Sequence, residues 1–487
     1  MDARRATLEE FARVESRDPA WSAVHLAAAC AWCATLAIGK APEAVAFGAL
    51  ALVAVVRLPS TWRLYPALLR SPPMLALAAF YAWQALAICW SSVPDPEYGA
   101  LLPRGLLLPL LLWPMAHRWA LLLGAFAAGT AAHSAILLAR SWNGAGFQQY
   151  NDSRPLISHL ASAGLVFACA TIACWSGALL ARTRATLALA AGAGMLCVAG
   201  LGVLSVRASL AAFLVGTVAA TVVALRPRAT RRRVAIAATV CAVAVAAALA
   251  VAVVRSSRFE VWMRSLERSG QAAGQSREQA AQAERERVEQ ERAAQLDARL
   301  RSLGMPPKGD PIRGASDRER LEQAMRKQPA DASFAFVASS GRSPVWLAAI
   351  EIWREHPIAG AGSQSWKTEC RPRLERDPDR YGIPISAREW VPKLPGAHSA
   401  YLQELAERGV VGLALLLLLL WTTGVRLWRG GGAWDAAGAF GIFAAWSAAA
   451  LAQSQSIQGL AMLLLALLLV RACAFGAARR ATRAAGR

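Results

Sequence analysis

Residues 409–427, GVVGLALLLLLLWTTGVRL, decide the fold of this chain. The stretch carries a single charged residue, Arg426, next to its end. A helix of about 20 apolar residues crosses the ~30 Å hydrocarbon core of a bilayer, whereas a helix on the surface of a soluble domain keeps a polar face. The stretch therefore predicts a transmembrane helix.

Similar apolar runs recur along most of the chain. Of its 487 residues, 56% are hydrophobic, and the mean hydropathy is +0.34. This composition excludes an ordinary soluble enzyme, a disordered chain and an extracellular disulfide scaffold. We predict an all-α polytopic membrane protein with about twelve transmembrane helices. The predicted spans are residues 21–39, 42–56, 73–91, 103–116, 119–139, 156–181, 185–205, 208–225, 234–254, 409–427, 434–452 and 457–475.

The basic residues predict how the chain is oriented. In a soluble protein a net charge of +21 would indicate a nucleic-acid partner, but membrane proteins also collect basic residues on their cytoplasmic side. The lysines and arginines of this chain concentrate in one set of alternate loops and in the two tails, 1–20 and 476–487. We therefore expect both tails in the cytoplasm of a bacterium, the other loops in the periplasm, and no nucleic-acid partner. The short periplasmic loops hold only Lys40, Arg104, Arg140, Arg154 and Arg207.

One loop, 255–396, separates the nine spans within 21–254 from the three within 397–475. It is too long to be structureless in a compact protein, so we expect it to be partly helical and periplasmic. Residues 267–333 are a charged insertion with a helix predicted over 276–303, which we interpret as solvated and not catalytic. Residues 340–396 contain four tryptophans and should pack on the membrane domain.

Two arginines lie on the predicted periplasmic side. Arg207 occupies the turn between the seventh and eighth spans, where snorkelling to lipid headgroups would be an ordinary role. Arg342 precedes a helix predicted from Pro344 to Glu355, with proline in its first turn and another proline just past its end. Gly360 and Gly362 follow in a tight loop, which is either a plain turn or part of a phosphate cradle.

A histidine stands where the long loop returns to the membrane. His398 precedes a predicted helix that carries Tyr401 and Glu404, and Gly409 and Gly412 permit a bend or close packing there. Histidine is the side chain best suited to take a proton from a hydroxyl near neutral pH, although a lone histidine at an interface is more often structural.

The predicted topology places Arg207, Arg342 and His398 on the same face of the membrane. Two arginines can clamp a lipid diphosphate while the histidine deprotonates an acceptor. No His, Asp or Glu residues have the spacing of metal ligands, so we expect neither a metal nor a cofactor. His133 and His159 lie in or near spans and are interpreted as structural.

Several stretches together resemble one family. HSAYLQELAERGVVGL at 398–413 resembles the His-x-x-Tyr/Phe-Leu-x-x-Leu-x-Glu-x-Gly-x-x-Gly signature of the O-antigen ligase/polymerase superfamily. SVRASLAAFLVG and the stretch from Arg342 to HPIAGAGSQSW are similar to two further segments of that family. YNDSRPLISH at 150–159 resembles a segment of some members that contains an arginine, here Arg154. The insertion 267–333 is longer and more charged than the family pattern.

The resemblance implies a metal-independent, GT-C-type glycosyltransferase of lipopolysaccharide biosynthesis in the inner membrane. It implies that Arg207 and Arg342 hold the diphosphate of an undecaprenyl-diphosphate-linked glycan and that His398 activates the acceptor hydroxyl, with inversion at the transferred sugar. The candidates for substrate binding are Arg154, Tyr401, Glu404, Gly360 and Gly362.

The sequence leaves the acceptor open. An O-antigen ligase would transfer the glycan to lipid A-core. A polymerase would transfer it to another glycan repeat, and a protein O-oligosaccharyltransferase to a protein hydroxyl. A transporter of lipid-linked sugars is a more distant alternative, because it predicts internal repeats and charges at mid-membrane, which the sequence does not show.

Overall fold

The computed structural model describes residues 2–92, 96–142, 160–224, 342–383, 388, 391–393, 396–430, 434–452, 462 and 464–474, except positions 37, 39, 180, 182, 205 and 206. All of them belong to one compact unit, which is made of Met1–Leu249 and Asp331–Arg487. Within these ranges every regular element is a helix and there is no strand, which confirms the all-α prediction. Arg154, the predicted span 234–254 and the predicted insertion 267–333 lie outside the described residues.

The helices follow one another along the chain as follows. Those before the long loop are α1 (Asp2–Arg17), α2 (Pro19–Thr35), α3 (Lys40–Val56), α4 (Pro72–Leu86), α5 (Pro96–Leu112), α6 (Trp119–Trp142), α7 (Leu160–Leu179), α8 (Arg184–Leu204) and α9 (Arg207–Ala224). Those after it are α10 (Ser343–Glu355), α11 (Arg371–Arg376), α12 (Ala400–Arg429), α13 (Trp434–Ala452) and α14 (Leu464–Ala474). Shorter helical turns lie at Leu58–Thr61, Trp62–Leu64, Tyr65–Leu69, Trp113–Arg118, Trp366–Cys370 and Val391–Lys393.

Among the described residues, every predicted span contains a helix, and the span 234–254 lies outside those residues. Three described helical stretches are long and apolar enough to cross a membrane: Arg104–Ala139, Arg184–Gly202 and Ala400–Arg429. A fourth is added if Ala41–Val56 and Leu58–Leu69, which meet at 65°, form one bent span. These stretches show the membrane character of the chain, and the number twelve stays a prediction.

The predicted spans 103–116 and 119–139 are continuous in the structure. Arg104–Ala139 is a single helical stretch of 36 residues. Residues Trp113–Arg118, where a loop was expected around Arg118, tighten into a 3₁₀-helix with Pro114 in its first turn. A proline fits there because the first residues of a helix have no helical partner for their N–H groups.

The membrane domain is built around α7, which contacts α6, α8, α9 and α13. All twelve α7 residues from Ala163 to Cys174 are buried, and seven of them are alanine, glycine or cysteine. Small side chains let helix backbones approach closely, which favours helix packing where no water drives association. In the described part of the long loop, α10 packs against the first turns of α12, in a hydrophobic cluster separate from the one around α7.

The charged N-terminal tail forms α1, which the sequence analysis did not predict. Phe11 stacks on His117, with 5.3 Å between ring centroids. Glu15 accepts hydrogen bonds from His117 Nε2 at 2.9 Å and from Arg118 Nη2 at 2.8 Å. The tail is therefore tied to the 3₁₀ turn between α5 and α6.

Candidate active site

The helix that follows Arg342 has the predicted length and position. It was expected from Pro344 to Glu355 and runs from Ser343 to Glu355, with Arg342 at its N-cap. Its face of Val345, Ala348, Ala349 and Ile352 is buried in a cluster that includes Ala406 of α12. The prediction that this part of the loop packs on the membrane domain is confirmed for α10.

The N-terminal ends of α10 and α12 lie together. His398 stands two residues before α12, whose N-cap Ser399 accepts a hydrogen bond from Leu402 N–H at 3.4 Å. The guanidinium of Arg342 is close enough to act on the His398 imidazole electrostatically. The structure thus brings two of the three predicted catalytic residues into one place.

His398 is held as a neutral imidazole. Burial, and then the positive charge of Arg342, lower its pKa from 6.5 to about 4. Among the described residues nothing hydrogen-bonds its buried Nε2. At neutral pH this imidazole is already deprotonated, so one nitrogen has a lone pair ready to accept a proton.

The backbone of His398 is in the left-handed region, with φ 51°. Residues other than glycine seldom adopt this conformation, although histidine tolerates it better than most. Such backbone costs about 1–3 kcal/mol and persists where the surroundings enforce it, often at functional sites. The turn places His398 just outside the first turn of α12 and supports its selection as a site residue.

α12 is broken at Gly409, where the sequence permitted either a bend or close packing. Gly409 has φ 67° and ψ −166°, which are not helical values. The loop after α10 fills the gap, because Val410 N–H donates to Pro357 O at 2.9 Å and Gly362 N–H donates to Glu407 O at 2.8 Å. A side chain at Gly409 would overlap the backbone of Ile358, so glycine is required there for conformation and for space.

Gly360 and Gly362 shape this loop in the structure. Gly360 has φ 72°, and a Cβ there would overlap the backbone of Glu407 and Arg408. Gly362 has φ 102°, and a Cβ there would lie 2.6 Å from the Cα of Ser91. Of the two interpretations left open by the sequence, these contacts are those of a tight turn that fits against protein backbone.

The side chains of Tyr401 and Glu404 each have a polar partner within the protein. The Tyr401 hydroxyl donates to Ser447 O of α13 at 3.1 Å. Glu404 is fully buried and paired with Arg408. Both side chains help to fix the start of α12, and their binding of substrate stays a prediction.

Arg207 is the first residue of α9, and its side chain lies outside the described part of the structure. Its position relative to His398, like that of Arg154, stays a prediction. Among the described residues, no group of three or more His, Cys, Asp or Glu side chains could hold a metal ion.

Sequence reasoning missed Arg408 and Ser363. Arg408 is buried at the break in α12, pairs with Glu404 and Glu407, and donates from Nε to Ser363 Oγ at 3.2 Å. The available signal was the i, i+4 spacing of Glu404 and Arg408 just before a strongly apolar span. Its partner Ser363, 45 residues earlier in the chain, left no such signal.

Together these features define a helical membrane protein whose loop carries a cation to a neutral histidine at the start of a long apolar helix. The comparison with protein families gives this class a name: residues 192–417 match the family described as O-antigen ligase. This matched domain confirms the resemblance to the O-antigen ligase family seen in the sequence. No curated protein matches the chain. The matched range includes Arg207, Arg342 and His398.

Proposed function

We propose that this protein is an O-antigen ligase that transfers an undecaprenyl-diphosphate-linked glycan to lipid A-core. The observation that carries the proposal is the neutral His398 beside Arg342 within an O-antigen ligase domain. The reaction takes place at the periplasmic face of the bacterial inner membrane, in a chain with about twelve spans and both tails in the cytoplasm.

The proposed chemistry separates two tasks. As the bond between sugar and diphosphate breaks, negative charge grows on the leaving diphosphate, and a fixed cation in a partly dry site stabilises it. Arg342 supplies this cation, together with Arg207. His398 takes the proton of the acceptor hydroxyl, which attacks the sugar from the side opposite the diphosphate and inverts the anomeric centre.

The start of α10 strengthens the diphosphate site. The N–H groups in the first turn of a helix have no helical partners and attract anions. Arg342 is the N-cap of α10, so its charge and these N–H groups lie at the same end. This mechanism needs neither a metal nor a cofactor, because charge stabilisation and proton transfer both come from side chains.

Transfer by the purified full-length protein tests the proposal. The donor is an undecaprenyl-diphosphate glycan, EDTA is present, and lipid A-core, additional donor and a protein acceptor are offered in parallel. We expect glycosylated lipid A-core. Longer donor chains alone, or a glycosylated protein alone, would overturn the ligase in favour of a polymerase or a protein O-oligosaccharyltransferase.

The site residues are tested in the same assay with matched controls. We expect His398→Ala and Arg342→Ala to abolish or greatly reduce transfer, and Arg207→Ala to do the same. The controls are His356→Ala and Arg354→Ala, whose side chains are exposed at the other end of α10. Normal transfer by a folded variant of His398, Arg342 or Arg207 would remove that residue from the site. If lipid-linked donor in cells of the His398→Ala strain stays in the cytoplasmic leaflet, the protein is a transporter instead.

A further inference from the structure

Three segments of the chain meet at Ser363. Its N–H donates to Ala87 O just after α4, at 3.1 Å, and its Oγ donates to Gln84 O of α4, also at 3.1 Å. The same Oγ accepts the hydrogen bond from Arg408 Nε at the break in α12. Ser363 therefore joins the loop after α10 to both α4 and α12.

Arg408 holds the other side of this junction. Its two terminal nitrogens pair with Glu404 and with Glu407, the latter at 3.4 Å, while its Nε reaches Ser363. Its backbone carbonyl accepts a hydrogen bond from Trp83 Nε1 of α4 at 3.1 Å. The planar guanidinium presents its donors in a fixed fork, which a lysine ammonium cannot reproduce.

The junction lies one helix length away from the candidate site. α10 has 13 residues and so is about 20 Å long. Its N-terminal end carries Arg342 beside His398, and its C-terminal end leads directly into the loop bonded at the break in α12. α10 and the first turns of α12 thus run side by side in the same direction, fixed together at the far end.

We propose that Arg408 and Ser363 are positioning residues for the transfer reaction: by locking the loop onto α4 and α12, they set where α10 presents Arg342 to His398. Neither residue touches the reacting groups. A displacement of about 1 Å in an active site can cost about 100-fold in rate, so slippage at the junction would act at the other end of α10. This inference rests on the proposed function.

Ser363→Ala and Arg408→Lys test the inference in the purified full-length protein. Both keep the number of buried charged groups unchanged, and Ser363→Ala leaves both ion pairs of Arg408 in place. We expect kcat to fall about 10- to 100-fold while the KM for the lipid-linked donor changes less than about threefold. Arg371→Lys is the matched control, because Arg371 forms an exposed pair with Glu375 at 2.8 Å, away from the junction.

A third variant separates positioning from folding. Glu404→Gln, Glu407→Gln and Arg408→Met combined remove every buried charge of the junction and avoid leaving an unpaired ion. We expect this variant to fold and to have the same low kcat. If it has the wild-type kcat, the hydrogen bonds of Arg408 are not needed for transfer and the inference is wrong.

The titration of His398 gives a readout that a purely structural role would not change. If the junction sets the approach of Arg342, the pKa of His398 rises in Ser363→Ala, because the neighbouring positive charge withdraws. Wild-type kcat in both Ser363→Ala and Arg408→Lys, or an unchanged His398 titration in both, would overturn the inference. These outcomes differ from failure of the proposed function, in which His398→Ala itself retains transfer.

Discussion

Two arginines of this protein each pair with two glutamates, yet their surroundings differ. In the buried cluster, Arg408 pairs with Glu404 and Glu407, and these side chains are 2%, 1% and 1% exposed. Taking such charges out of water costs free energy that their attraction barely repays. A cluster of this kind is therefore weak evidence for stability, and its value lies in the geometry that it imposes.

The surface cluster has the same composition. Arg373 binds Glu355 with two parallel hydrogen bonds of 2.5 and 2.6 Å and also pairs with Glu369 at 3.1 Å. Its side chains are 22%, 52% and 33% exposed, so water screens the attraction and replaces it when it is broken. Two clusters of the same residue types thus differ in the cost of breaking them, because one is buried and the other is exposed to water.

The largest effect is expected from breaking the buried cluster. Arg408→Met leaves two carboxylates buried without their cation, which should lower the free energy of unfolding by about 3–5 kcal/mol. Unfolding of the purified protein in detergent measures this difference. A loss below about 1 kcal/mol would show that water reaches the cluster and that the contrast with the surface cluster is wrong.

Neutralising the remaining carboxylates should reverse most of that loss. Adding Glu404→Gln and Glu407→Gln to Arg408→Met is expected to bring the free energy of unfolding to within about 2 kcal/mol of the wild-type value. The same unfolding assay measures the recovery. If the triple variant is as unstable as Arg408→Met alone, the ion pairs themselves stabilise the protein.

Breaking the surface cluster should have a small effect. Arg373→Met is expected to lower the free energy of unfolding by at most about 1 kcal/mol at neutral pH. The hydrogen bond from Arg373 holds the pKa of Glu355 below its usual 4.5. The stabilisation by this pair is therefore fully present above about pH 4.5 and is lost as the pH falls through the lowered pKa of Glu355. A loss of several kcal/mol would place the cluster in a drier environment than its exposure indicates.

The smallest expected effect is that of salt on the free energy of unfolding. Raising the ionic strength from about 0.1 to 1 M shortens the screening length from about 10 to 3 Å. The difference in unfolding free energy between wild type and Arg373→Met should shrink, while that between wild type and Arg408→Met should stay the same. Equal salt dependence in both variants would remove the distinction between the two clusters.

The sequence predicted local features of the site well. Proline and glycine set the bounds of α10 and the bend at Gly409, because these residues restrict or free the backbone wherever they stand. Apolar runs located the long helices, because a helix that crosses a bilayer is apolar along about 20 residues. The 3₁₀-helix Trp113–Arg118, which joins the predicted spans 103–116 and 119–139, was not predicted, because such an internal turn has no strong signal in the residues.

The junction could not be predicted, because it depends on tertiary contacts. Ser363 meets Gln84 and Arg408 only after the loop has folded onto α4 and α12. Nor does the spacing of Arg342 and His398 show that they approach each other. Their proximity follows from α10 packing alongside α12, which a single sequence does not encode in any local pattern.

The central claim is that His398 is a neutral base beside Arg342. NMR titration of the purified protein with isotope-labelled histidine tests it, with the His398 signal assigned by its loss in His398→Ala. We expect a pKa near 4 in the wild type and a higher value in Arg342→Gln, with Arg354→Gln unchanged as the control. A His398 pKa near 6.5 that Arg342→Gln does not alter would contradict the account.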